Sequence, residues 1–311
     1  MDEARKPTAL IVGCGYVGQR LAQALLPTHR VAGTVRSQTS RAAVRALGID
    51  NALLDLDNAQ SLKHLPPEYT DAAALFYLTP PPAHGLSDTR LDRFLRLIDK
   101  PPTLFVYMST TGVYGSTDGR EVDESDRINP QTERAQRRAS AEEMTRVWCH
   151  ELQVRRVVLR VPGIYGPDRL PLERLRRGEP VIRLDEATVS NRIHVDDLVN
   201  VCLAVARNAE ARGVFNVTDG NSVSATEFVL RVAAMSGLPP PPQISLEEAR
   251  LTLSPQRLSF LEESRRVSNR RLLSELAVKL KYASLDAGIR ASLATRDSSS
   301  QAAPQSANSP Q

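Results

Sequence analysis

Short apolar runs alternate with amphipathic stretches through the first half of the chain. Residues 8–13 form a compact β-type run closed by glycine, and 16–26 then place Val17, Leu21, Ala24 and Leu25 at helical spacing. The same reasoning predicts strands over 30–35, 52–56, 72–78 and 103–108, with helices over 40–47 and 86–98 between them. The prolines at 80–82 close the fourth of these strands, since no helix or strand interior accepts them. Further on, 154–161 and 213–217 read as strands and 225–236 as a helix.

Strands and helices alternating at this length imply parallel βαβ units. The expected fold class is α/β, a Rossmann-type doubly wound parallel sheet with a small, partly interleaved C-terminal substrate domain. Residues 1–165 would form the dinucleotide-binding domain, with returning segments over about 190–235. A smaller substrate or lid region would comprise 166–189 and 236–294, the latter opened by the proline run 239–242. Residues 295–311 are Ser, Gln, Ala, Asn and Pro without apolar periodicity, which predicts a disordered tail.

Composition adds little to this picture. The chain has 311 residues, 41% hydrophobic and 24% charged, an ordinary globular balance. Its formal net charge of +4 comes from arginines spread along the sequence, not from a basic block. That spread gives no nucleic-acid signature and suits an anionic small-molecule ligand. No apolar run approaches a membrane span, so a soluble, cytoplasmic protein with no membrane partner is expected. Cys14, Cys149 and Cys202 are far apart and form no Cys-x-x-Cys pair, which predicts buried thiols and no metal site.

The chemistry begins at Gly13-Cys14-Gly15-Tyr16-Val17-Gly18, which matches Gly-x-Gly-x-x-Gly between a predicted strand and helix. The first glycine serves a tight turn, the second lets backbone approach a pyrophosphate, and the third lets helix and strand pack closely. Helix N–H groups then face the anion. At the end of the second strand, where an NAD site carries an acid for the ribose 2′-OH, this chain has Arg36-Ser37 with Arg41 nearby. Guanidinium beside the ribose favours a 2′-phosphate, so NADP is expected, with NAD the alternative.

A second constellation lies at 109–115 (Ser-Thr-Thr-Gly-Val-Tyr-Gly), followed by Arg134 and Arg138 at i, i+4 spacing on a predicted helix face. Together with the glycine loop, 160–167 (Arg-Val-Pro-Gly-Ile-Tyr-Gly-Pro), 191–198 and 214–219, these motifs resemble the extended short-chain dehydrogenase/reductase family, the NAD(P)-dependent epimerases and dehydratases. The likeness covers residues 8 to about 293, and its details are most similar to an atypical, YeeZ-like branch.

The resemblance implies cofactor contacts at Asp55, Leu56, Leu78 and Pro162, in addition to the glycine loop. It places Thr110 at the catalytic Ser/Thr position, with the alternative that its hydroxyl satisfies strand-end backbone. It also puts Arg134 where the family has its catalytic tyrosine and Arg138 where it has lysine. Arginine stays protonated, so Arg134 cannot act as the general acid or base, although it can clamp an anion or polarise a carbonyl. A solvated helix face is the other reading of these arginines.

Glu142, one turn on, could pair with Arg138. Tyr165, in a loop after a strand, is the first substitute for the missing phenol, and Arg192 is a substrate-side anion contact by analogy. His194 is read as structural. Three functions follow: an NADP-binding oxidoreductase-like protein acting on an anionic molecule, a non-catalytic dinucleotide-sensing or regulatory protein, and a nucleoside-diphosphate-sugar epimerase or dehydratase. Many relatives dimerise through helices, so a homodimer is a further expectation.

Overall fold

The computed structural model describes residues 6–62, 69 and 71–301, excepting the side chains at 59, 256 and 296–301. Seven strands build one parallel sheet: β1 (Thr8–Val12), β2 (Arg30–Val35), β3 (Asp50–Leu53), β4 (Ala74–Tyr77), β5 (Leu104–Thr110), β6 (Arg155–Val161) and β7 (Gly213–Asn216). Their order is β3-β2-β1-β4-β5-β6-β7, and every neighbouring pair is parallel. The order reverses between β1 and β4, which opens a crevice at the carboxyl ends of the strands.

Both faces of the sheet are covered, as a parallel sheet requires. One core joins Ile11, Phe76, Val106 and Leu159 to α1 (Tyr16–Leu25) and α5 (Val195–Arg207), following α2 (Gln38–Ala46) along the same face through Val44. The opposite core joins Leu10, Tyr77, Phe105 and Tyr107 to α3 (Thr89–Leu95) and α4 (Glu133–Glu151). Adjacent strand residues therefore alternate between the two cores. Each fully buried Leu, Ile or Phe contributes about 1.5–3 kcal/mol relative to exposure, so the sheet carries most of the fold's stability.

A third, smaller core lies outside the sheet. It packs Tyr165, Leu172, Val181, Phe228, Val229, Val232, Leu285 and Ile289, drawing on α6 (Ala225–Ser236) and α8 (Leu285–Gln301). Helix α6 thus sits with the smaller unit, although the segment 190–235 is expected with the dinucleotide-binding domain. Its apolar side chains Phe228, Val229 and Val232 face Tyr165 and α8, not the sheet. Helix α8 continues through Gln301, into the stretch whose composition predicts a tail, and residues 302–311 lie outside the described residues. A further helix of the C-terminal region, α7 (Pro255–Glu262), starts from Ser254, whose side chain accepts the Arg257 N–H.

Candidate active site

A cavity of about 560 Å3 occupies the crevice at the strand ends. Its wall runs from Arg36 and Ser40 past Asp55 and Leu56, along the whole glycine loop, to Leu78, Met108 and Arg138. Ile164 and Arg169 join it from the segment after β6.

The three glycines differ in what they do. Gly13 has φ +91°, and a Cβ there would lie 2.7 Å from Thr79 Oγ1 and 2.9 Å from Thr79 N, so strain and space both demand glycine. A Cβ on Gly18 would stand 2.9 Å from Gly13 O and 3.1 Å from Ile11 Cγ2, which fixes the close approach of α1 to β1. Gly15 has nothing within 4 Å of its Cβ position, leaving its backbone open to the cavity. No side chain caps α1 at Gly15, and the first N–H groups of a helix have no partner within it. An uncapped helix start on an open cavity is an anion site.

The Cys14 side chain packs against β2. It is buried against Gly33, and burial pushes its thiol up to about 12, so it stays a neutral packing group. Tyr16 clamps the cavity rim. Its hydroxyl donates to Pro167 O at 2.7 Å, and the guanidinium carbons of Arg20 and Arg169 lie 4.0 and 4.5 Å from its ring centre.

Ser37 and Pro162 do not line the cavity. Ser37 caps α2, accepting the Ser40 N–H at 3.2 Å, and so presents Ser40 instead. Arg41 is likewise absent from the wall, whereas Arg90 belongs to it. Arg90 ties two strand-end loops together: its Nε donates to Asp57 Oδ1 at 2.9 Å and its Nη1 to Pro80 O at 3.0 Å. Arg90 stands in the first turn of α3, and its ties to Asp57 and Pro80 are not legible from its place in the sequence. Thr34, Thr79 and Arg169 are further wall residues that pattern reading misses.

At the inner end Arg138 is held by two acceptors, the Met108 carbonyl at 2.7 Å and the Tyr107 hydroxyl at 3.2 Å. Glu142 does not pair with it. That carboxylate accepts from Arg160 Nε and Nη2 at 3.1 and 2.7 Å and from Ser109 Oγ at 2.5 Å, all buried. Arg160 reaches it from β6 on the face that α4 covers, and its fixed fork matches both oxygens.

Arg134 lies on the same helix but outside the cavity wall. Its Nη2 meets Glu263 Oε1 at 2.8 Å, and its Nη1 donates to Ser259 Oγ at 2.5 Å. It is therefore partnered by the segment around α7 and is not a free, solvated helix-face charge. Thr110 is half-buried and accepts the Gly112 N–H at 3.2 Å, capping the short 3-10 turn Thr111–Tyr114. Its hydroxyl satisfies strand-end backbone, and it does not line the cavity.

Two expected site residues are corrected. Tyr165 points into the third core, edge-on to His194 and Phe228 with ring centres 5.2 and 5.7 Å away. It is not part of the cavity wall, and burial holds its phenol well above the ordinary range. A strand-end position told nothing about which way its side chain turns. Arg192 is 8% exposed, donates to the Val223 and Ser224 carbonyls at 3.2 and 3.3 Å, and stacks on Phe228. It ties α6 to the strand Arg192–His194 and does not line the strand-end cavity.

His194 is structural, for a reason visible in its hydrogen bonds. The Asp196 N–H donates to Nδ1 at 3.2 Å, so Nε2 carries the proton and faces Ser292 Oγ at 3.2 Å. Ser292 in turn donates to Gly288 O at 2.7 Å. That tautomer cannot accept a proton from the serine. Burial lowers the imidazole to about 4.

The sheet, the glycine loop and the strand-end cavity are the architecture of a dinucleotide-binding protein, and sequence comparison agrees. The model of the NAD dependent epimerase/dehydratase family matches residues 9–218. The chain belongs to that family. No curated protein matches it. Among solved structures, a functionally unknown conserved protein from Silicibacter pomeroyi is 32% identical, with a TM-score of 0.78 over 93% of this chain and 99% of that one. The UDP-glucuronic acid 4-epimerase of Bacillus cereus, solved with NAD, shares the fold at 17% identity and TM-score 0.74, over 94% and 99% of the two chains. The dTDP-glucose 4,6-dehydratase of Bacillus anthracis, also solved with NAD, gives 18% and 0.76 over 95% and 98%.

The family's cofactor is NAD(P), and the residues present fit such a group. Gly15 leaves the backbone bare, the uncapped start of α1 offers N–H donors, and Arg36 and Arg138 stand at separate points of one continuous wall. Among the described residues no group of His, Cys, Asp and Glu could hold a metal, and no helix is long and apolar enough to cross a membrane.

Proposed function

We propose that this family member is an NADP-binding oxidoreductase-like protein acting on an anionic small molecule. One observation carries the reading: a single cavity that joins the glycine loop to Arg36 in one direction and to Arg138 in the other. The loop 13–18 would hold the pyrophosphate through the α1 N–H groups. Arg36, with Ser40 at the start of α2, would take a ribose 2′-phosphate, while Asp55, Leu56 and Leu78 would enclose the adenine and the dinucleotide's inner part.

The dinucleotide supplies hydride transfer when bound. Arg138, fixed by Met108 O and Tyr107 Oη, places a permanent positive charge at the cavity's inner end. There it stabilises a developing oxyanion without giving up a proton. Arg134 cannot donate one either, so proton exchange falls to water or to the substrate itself. A C4 epimerisation of the kind named for the Bacillus cereus relative would need an acid/base at position 134, and arginine there weighs against it.

A second reading, a non-catalytic dinucleotide sensor, is favoured by the lid contact that occupies Arg134 through Glu263. Three measurements separate the readings. Fluorescence titration with NADPH is expected to show saturable binding, and its failure removes the proposal. A carbonyl and sugar-nucleotide screen that finds no hydride transfer, despite NADPH binding, selects the sensor. Incubation with UDP-sugars that yields an epimer would select the epimerase.

A further inference from the structure

Beside the corner that follows β5, two guanidinium groups share one carboxylate. Arg134 Nη2 lies 2.8 Å from Glu263 Oε1, and Arg265 Nη2 bonds Glu263 Oε2. The Arg265, Glu263 and Arg134 side chains keep only 7%, 12% and 29% of their exposure. Arg265 is locked in position, donating from Nε to Gly115 O at 2.9 Å and from Nη1 to Thr111 O at 3.2 Å. Glu263 Oε2 stands 3.9 Å, and Thr110 Oγ1 3.4 Å, from the point a Gly112 Cβ would occupy. The carboxylate is therefore held against the turn where the family motif places its Ser/Thr.

Two features make this more than an ordinary ion pair. Two fixed cations facing one anion leave a net positive centre in a place sheltered from water, where charge is felt strongly. The planar carboxylate, one oxygen to each guanidinium, also shows what shape of anion the centre accepts. The segment that delivers Glu263 is seated by polar contacts. Helix α7 has no residue in the buried cores among the described residues. It is held by Arg134 on Ser259 and Phe260, by Arg250–Glu262 at 2.9 Å and by Arg257–Glu179 at 3.2 Å. Phe260 covers Arg134 at 3.6 Å yet remains 61% exposed. Such a segment can leave without opening a core.

The geometry points to Arg134 and Arg265 as a carboxylate-binding subsite that Glu263 fills from within. A small molecule bearing a carboxylate enters by replacing Glu263 and lifting the 254–263 segment. The inference rests on the proposed substrate side of the site and names the class of substrate it takes.

Glutarate, whose end reproduces a glutamate side chain, is the probe, titrated calorimetrically into the full chain. Glu263→Gln keeps size and removes charge, and it is expected to bind glutarate at least about tenfold tighter than the wild type, the scale of a charge-assisted hydrogen bond. Adding Arg134→Gln to that variant returns affinity to the wild-type level or below. Should Glu263→Gln be unstable, glutarate raises its Tm by more than it raises that of the wild type. Glu263→Asp, with a shorter reach, gives an intermediate gain. Equal affinity in wild type and Glu263→Gln, or a gain that survives Arg134→Gln, overturns the subsite. A larger gain for inorganic phosphate than for glutarate overturns the carboxylate assignment. NADPH titrated into the same samples separates the claims, because the glutarate gain is expected whether or not NADPH binds.

Discussion

Arg138 and Tyr107 meet at 3.2 Å beneath the inner end of the cavity, the guanidinium donating to the phenol oxygen. A tyrosine and a cation are thus side by side here, as the family's acid/base pair would be, but with the phenol on a strand and under the wall. Tyr107 is fully buried, and burial pushes it up to about 12. It remains a neutral hydrogen-bond partner that orients Arg138. Tyr107→Phe is expected to cost about 0.5–1.5 kcal/mol in urea unfolding, the range of one hydrogen bond, and to leave NADPH affinity within about threefold by the same scale. Loss of NADPH binding would mean that the phenol does more than orient.

The glycine loop separates fold from ligand. Gly13→Ala forces a Cβ into Thr79 at φ +91° and is expected to lower stability by about 1–3 kcal/mol. Gly15→Ala meets no protein atom within 4 Å, so it should cost less stability and act chiefly on NADPH affinity. Paired thermal melts and NADPH titrations check this, and equal effects of the two substitutions on both readouts would count against it.

Arg36 is the wall residue that sets cofactor preference in this account. Arg36→Ala is expected to weaken NADPH by about 10–100-fold, the worth of a charge-assisted contact, and to leave NADH nearly unchanged. A parallel loss for both cofactors would refute the 2′-phosphate role.

How much of this was legible beforehand depends on what kind of constraint each residue answers to. Gly13, Gly15 and Gly18 answer to backbone geometry, which residue type reveals directly, and the strands answer to apolar runs whose period is local. Tyr165 and Arg192 were misplaced because position along a strand does not say which core a side chain enters. Once β6 leads into the segment Gly163–Tyr165, the chain belongs to the smaller unit, and Phe228 on α6 receives both side chains. The Arg134–Glu263 contact spans 129 residues, and nothing near Arg134 in sequence announces its partner. Arg90 and Arg169 were hidden for a similar reason, since the fold brings them to the wall from α3 and from the loop after Gly163–Tyr165.

The buried pair Glu142–Arg160 should be a stability element and not a catalytic one. Removing one partner leaves a charge unpaired in the core, so Glu142→Gln is expected to cost about 3–5 kcal/mol. Urea unfolding measures it, and a loss below about 1 kcal/mol, the value of an exposed pair, would be inconsistent with the burial.

His194 predicts an acid-side effect. Its folded-state pKa, lowered to about 4 from 6.5, means that between these values the unfolded chain binds a proton the folded chain does not. Stability from this group is therefore full above pH 6.5 and falls as the pH drops toward 4. Going from pH 7 to 5, wild type should lose roughly 2 kcal/mol more than His194→Gln. Equal losses would show that the imidazole takes up its proton as readily in the folded chain as in the unfolded one.

The most direct test is the melting temperature of the full chain against rising NADPH and NADH. A ligand that binds the folded form stabilises it by about 2.7 kcal/mol at a hundred times its dissociation constant. The account predicts a rise of several degrees with NADPH that keeps growing with the logarithm of its concentration and sets in at lower concentration than with NADH. No rise with either cofactor would contradict it.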